Sequence, residues 1–166
     1  MLAYLFWHQP ATGTKDYERR LADFHERLRA HPPAGFAGSA AFKVDVPWMG
    51  PAYEDWYLLE DWTALGVLNA AAVDAAHKPD HDAVAREAAK GTGGVYRLLG
   101  GELALEDVGD ATWSASPLAA SPGPDEALWQ RQMVLGPAPE YCLLKRAPGH
   151  VSRVVPPATQ TRDHEL

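Results

Sequence analysis

Apolar and polar positions alternate along much of this chain, and the period switches between two and about 3.6 at identifiable places. Residues Leu2 to Gln9 put Leu2, Tyr4, Phe6 and His8 on one face and Ala3, Leu5, Trp7 and Gln9 on the other. Both faces are largely apolar, so the pattern predicts an interior strand packed on each side. Pro10 ends it. Tyr17, Leu21, Phe24 and Leu28 then recur at spacings of four, three and four, an amphipathic helix closed by Pro32 and Pro33. His25 and His31 are read as lying on its polar side or at its C-terminal end, where contact with the helix dipole is the ordinary role.

Alternation returns from Phe36 to Val46, with Ser39, Lys43 and Asp45 on a wetter face. "PWMGPA" reads as a loop carrying Trp48 and Met49. The stretch "YEDWYLLEDW", Tyr53 to Trp62, reads as a third strand. A helix follows from Thr63 as N-cap through Leu65, Leu68 and Ala72, with a second segment capped by Asp80 and carrying Val84. Gly91 and Gly93 are read as its stop, and Val95 to Leu99 as a fourth strand.

The order β-α-β-β-α-β predicts an α+β fold, a ferredoxin-like plait with an antiparallel sheet covered by helices on one face. Strands apolar on both sides then call for a partner on the open face. A second copy of the sheet would supply it, making a homodimer that closes an α/β barrel. Residues 1–109 form this domain. Residues 110–127, rich in Ala, Ser, Pro and Gly, read as a linker, and 128–166 as a C-terminal extension ending in a flexible tail.

Composition narrows the function. Six tryptophans are many for 166 residues and suit cores, pockets and interfaces. The net charge is −7 without a run of Lys or Arg, so nucleic acid and anionic membrane are poor partners. The one cysteine, Cys142, suits a reducing cytoplasm and, in the apolar run "PEYCLL", reads as a buried small hydrophobe.

Within "YEDWYLLEDW" the triplet Glu-Asp-Trp occurs twice. Glu54, Asp55 and Asp61 are expected near strand ends, reached by solvent. Glu60 lies between Leu58 and Trp62 on its own face, where a carboxylate must find a partner or keep its proton. It is therefore a candidate acid or base; the plainer reading is an ion pair with an arginine at the strand's mouth.

The segment "YLLEDWTALGVLNAAAVDAAHKPDHDAVA", residues 57–85, resembles the third strand and second helix of the antibiotic-biosynthesis-monooxygenase-like, or dimeric α/β-barrel, superfamily. The matching elements are Glu60-Asp61-Trp62 at the strand's end and the turn Pro79-Asp80-His81. The resemblance implies a barrel cavity faced by Glu60 and Trp62, with His77 and His81 on the helix wall above. It also implies chemistries that differ among members: cofactor-free oxidation of aromatic polyketides and quinols, lactone isomerisation, haem-dependent reactions, or binding alone.

His77 and His81 are four apart, a metal-ligand spacing on an unbroken helix that Pro79 disturbs. Further ligands would come from His8 or Glu60. His8 either lines the cavity or ends its strand in solvent. Arg97, among apolar residues of the fourth strand, could hold a carboxylate or enolate, or pair structurally with Glu60. The expectation is a small enzyme binding a hydrophobic aromatic molecule, monooxygenase-like or proton-transferring, with catalytic Glu60, His77 and His81. Its binding residues would be His8, Trp48, Trp56, Trp62 and Arg97. No cofactor is called for, with haem or a divalent metal as alternatives, and a non-catalytic binding or stress-response protein is the competing class.

Overall fold

The computed structural model describes residues 1–11, 14–74, 77–102, 104–118 and 121–146. The tail expected beyond Pro148 lies outside them. The elements run β1 (Leu2–Pro10), α1 (Thr14–Ala30), β2 (Phe36–Val46), β3 (Gly50–Leu59), α2 (Trp62–Asp74), α3 (Lys78–Ala85) and β4 (Ala88–Gly101). A 3-10 turn (Leu105–Asp107) then leads into β5 (Val108–Ser114), β6 (Glu126–Leu135) and β7 (Tyr141–Arg146). All strands join one antiparallel sheet in the order β2-β3-β1-β4-β6-β7-β5.

This corrects the expected fold. The protein is a seven-stranded antiparallel sheet rolled into a half-barrel with three helices, not a ferredoxin-like β-α-β-β-α-β plait. The physical reason is the edge of β4. A four-stranded plait would leave it open, whereas here it pairs with β6 from Gly93↔Leu135 to Gly101↔Ala127. Residues 108–114, partly inside the expected linker, form β5 and pair with β7.

The roll follows from ring contacts. Three strands separate β1 from β5, about 19 Å in a flat sheet. Yet the rings of Trp7 on β1 and Trp113 on β5 stand 5.3 Å apart, and Trp56 on β3 meets Trp129 on β6 at 5.6 Å. The sheet must curl to bring them together. Its concave face holds a core of Leu5, Trp7, Phe42, Trp56, Tyr96, Trp129, Cys142 and Leu144. The open face that argued for a second copy is thus covered by the chain's own C-terminal strands.

The helices cover the other face. Leu28 and Phe24 of α1 and Ala64 and Leu68 of α2 pack with Leu2, Tyr57, Leu59 and Val95, while Tyr17 and Leu21 pack on Ala41 and Tyr53. The first turn of α2 is capped by Asp61, whose Oδ1 accepts from the Ala64 N–H at 2.9 Å, instead of by Thr63. Gly91 and Gly93 do not stop a helix; they lie within β4. A Cβ on Gly91 would collide with the Phe6 ring, and one on Gly93 would come within 2.7 Å of the Leu5 carbonyl. These glycines let the Phe6 ring lie flat against the sheet. Among the described residues no helix is long and apolar enough to cross a membrane.

Candidate functional site

A cavity of about 560 Å³ opens between the sheet's helix-covered face and α1, α2 and α3. Its size falls in the range of small-molecule sites. Tyr4, Phe6, Phe24, Tyr57 and Val95 line the sheet side and α1, Leu65, Leu68, Ala72 and Val84 the outer helices, and Trp62, Met133 and Leu135 stand exposed at the mouth. Among the described residues no lysine or arginine lines it.

The strand register builds its floor. β1 and β3 pair as Tyr4↔Tyr57, Phe6↔Asp55 and His8↔Tyr53, so these side chains share one face. On α1, Tyr17 and His25 lie eight residues apart on the buried stripe and reach down to the same point. The result is a continuous polar chain in a dry setting. Tyr17 Oη and His8 Nδ1 stand 2.5 Å apart, and the phenol O–H is the donor when the imidazole proton sits on Nε2, the nitrogen that faces Asp55. His8 Nε2 stands 3.0 Å from Asp55 Oδ2, an ion-pair distance without good hydrogen-bond alignment. Asp55 Oδ2 also accepts from the Tyr57 hydroxyl at 3.0 Å, and Asp55 Oδ1 faces His25 Nε2 at 3.6 Å. His25 Nδ1 closes the chain on Ser39 Oγ at 2.7 Å. The His8 ring lies between Phe6 (5.5 Å) and Tyr53 (5.7 Å), and His25 stacks on Tyr57 at 5.2 Å.

The electrostatics follow from this packing. Burial opposes ionisation of Asp55, but electrostatic attraction to His8 and His25 and their hydrogen bonds outweigh it and hold the carboxyl well below its usual range. Burial, with the Asp55 charge added, pushes the Tyr4 phenol up to about 12 and raises Tyr17 and Tyr57 further. The phenols are therefore protonated, and beside one carboxylate the resting cavity end disfavours a ligand that arrives carrying a negative charge.

The expected site residues are dispersed. His8 lines the cavity, at its floor, and His81 and Trp62 border it, His81 with its ring 6.2 Å from Phe24. Glu60 is exposed, just beyond β3, with its backbone N–H bonded to the Gly35 carbonyl. His77 is buried, away from the cavity lining, its Nε2 3.0 Å from the His31 carbonyl oxygen. Trp48 and Trp56 belong to the concave core, and Arg97 is exposed on β4. Among the described residues no group of three or more His, Cys, Asp or Glu is arranged to hold a metal.

Sequence reasoning passed over Asp55, Tyr17 and His25. Asp55 was expected near solvent, yet it is 3 % exposed, because β3 reaches back to Gly50 and leaves it mid-strand. His25 was assigned to the polar side of its helix and is fully buried. The signal was present: residue 25 is four after Leu21 and three before Leu28, which places it on the apolar stripe.

No protein-family model, no curated protein and no solved structure matches this chain. The superfamily resemblance, which spans roughly residues 2–105 and is most specific at 57–85, stands on the sequence pattern alone.

Proposed function

We propose that the protein binds an uncharged, hydrophobic, ring-bearing small molecule in the cavity between the sheet and its helices. The observation that carries this reading is a 560 Å³ apolar space walled by aromatic rings, with no lysine or arginine lining it among the described residues. A pocket of that kind gains its affinity from apolar burial and takes its selectivity from a few convergent polar groups. Those groups are present at the floor as Tyr17, His8 and Asp55, and on the wall as Tyr4, whose hydroxyl makes no hydrogen bond among the described residues. The exposed Trp62, Met133 and Leu135 at the mouth extend the apolar path outward.

Titration with N-phenyl-1-naphthylamine, a neutral fluorophore that brightens in apolar surroundings, tests the reading. Saturable one-to-one enhancement is expected for the native protein and its loss for Ala72→Trp, which fills the cavity. Absence of saturable binding, or equal binding by Ala72→Trp with an unchanged circular dichroism spectrum, would overturn it.

A further inference from the structure

We infer that Tyr17, His8 and Asp55 form a proton-transfer site, and that Tyr17 exchanges a proton with the bound molecule while His8 and Asp55 act through it. The inference rests on the cavity reading above and adds a chemistry to it.

Three features of the geometry point there. The polar chain runs from the Tyr17 phenol through the His8 imidazole to the Asp55 carboxylate, and all three groups border the cavity. Both His8 nitrogens are engaged, one by Tyr17 and one by Asp55, and Phe6 and Tyr53 sandwich the ring. The imidazole is therefore fixed with both nitrogens engaged, and the Tyr17 hydroxyl, which keeps a spare lone pair at the cavity floor, is the member of the chain able to take a proton from a ligand. Asp55, in turn, is held by His8, His25 and Tyr57, a set that fixes a negative charge behind the imidazole. A structural network would need none of its members to border an open, apolar space.

The step balances without another reactant. A ligand bearing an acidic C–H next to a carbonyl loses that proton to Tyr17 Oη as the Tyr17 proton passes to His8 Nδ1. The C–H electron pair becomes the C=C of an enolate, and the carbonyl π pair moves onto oxygen. The imidazolium formed at His8 is neutralised by the adjacent Asp55 carboxylate. Reversal returns a proton to the same carbon or a conjugated one, so the net reactions open to this site are exchange and isomerisation. Tyr4, on the cavity wall and with no hydrogen-bond partner for its hydroxyl among the described residues, is the donor available to the enolate oxygen. The high proton affinity of buried Tyr17 suits this relay, since the phenol hands a proton on and is not left as a phenolate.

The test uses 2-tetralone, a neutral bicyclic ketone with exchangeable α-hydrogens, in D₂O. Saturation-transfer NMR reads its binding, and loss of the α-proton signal reads exchange. The native protein is expected to bind it and to exchange its α-hydrogens at least tenfold faster than buffer. Tyr17→Phe should lower that rate by about 100-fold or more, in line with the worth of a positioned acid–base group. His8→Gln should lower kcat while leaving KM for 2-tetralone near its native value, a split that general loosening of the fold would not produce. Glu60→Gln, outside the cavity, should leave exchange unchanged. Binding without exchange by the native protein, or exchange undiminished in both Tyr17→Phe and His8→Gln, overturns the relay and leaves the cavity reading intact. Absence of 2-tetralone binding by protein that takes up N-phenyl-1-naphthylamine overturns the relay alone, and absence of binding by both probes overturns the cavity reading with it.

Discussion

Glu54 and Asp55 are neighbours on β3, both 3 % exposed, and they stabilise a buried carboxyl group in opposite ways on opposite faces of one sheet. Asp55, under the helices, is surrounded by two imidazoles and a phenol, and these keep it ionised. Glu54, in the concave core, accepts from the indole N–H groups of Trp7 at 2.6 Å and Trp56 at 2.7 Å and has no cation beside it among the described residues. Burial pushes its carboxyl up, the two indole bonds pull it part of the way back, and the Asp55 charge adds to the rise, leaving it at about 7. The pairs Trp7↔Glu54 and Leu5↔Trp56 explain why the indoles are there. Cys142 is packed in the same core, where burial and the Glu54 charge raise its thiol and make it a poor nucleophile. The comparison separates a face built for packing, where tryptophan rings meet edge to face, from a face where polar groups border unfilled space.

The largest effect should come from the filled face. Trp7 packs edge-on against Trp48 and Trp113, both at 5.3 Å, and donates to Glu54. Trp7→Ala should cost about 3–5 kcal/mol, read as a lowered urea midpoint, and should leave any folded fraction with an intact ligand cavity. A loss below 1 kcal/mol would mean that the tryptophan core does not hold the C-terminal strands in place.

Next is Asp55→Asn, which removes the charge from a buried pair. It should cost about 3 kcal/mol, because His8 and His25 then lose the group that compensates them. The same measurement on Glu54→Gln should give a smaller loss at neutral pH, since no cation is abandoned and the amide oxygen still accepts from an indole. Equal losses would erase the distinction between the two acids.

The subtlest difference is in pH dependence. Glu54 has a folded-state value of about 7 against an ordinary 4.5. Between the two, the folded protein holds a proton that the unfolded chain has released. Its contribution is therefore full below pH 4.5 and is lost as the pH rises through 7, amounting to about 3 kcal/mol at most. Asp55 is depressed, so its contribution is full above its ordinary 3.8 and is lost only as the pH falls through its lower folded value. Between pH 5 and 7 the two acids are thus separable. Stability should decline with rising pH in the native protein, and Glu54→Gln should flatten that decline. An identical slope in both proteins would show that Glu54 is not its source.

Several elements were legible from residue order because they depend on local chemistry. The strand at the N-terminus, the helix with the Tyr17-Leu21-Phe24-Leu28 stripe and the Phe36–Val46 strand all follow from period and from Gly and Pro positions. Hidden acids were harder. Alternation placed Glu54 and Asp55 on opposite faces correctly, but not how deep each would lie, because depth depends on what covers the strand. Glu60 drew attention through its apolar neighbours, yet it falls just past the last residue of β3, where the backbone turns toward α2 and the side chain meets solvent.

What residue order determined by itself is which side chains share a face: Tyr4, Phe6 and His8 together, and Asp55 between Tyr53 and Tyr57, because side-chain direction alternates along any strand. What the tertiary structure alone decided is how those faces are covered. The pairing of β4 with β6 converts an open edge into the middle of a rolled sheet, and the roll brings Trp113 onto Trp7. Strand pairing across that distance in the chain is selected by the total burial it achieves, and no local period records it. For the same reason Tyr17, His8 and Asp55 meet only in the folded molecule, where a helix lying across two strands brings three distant residues to one point.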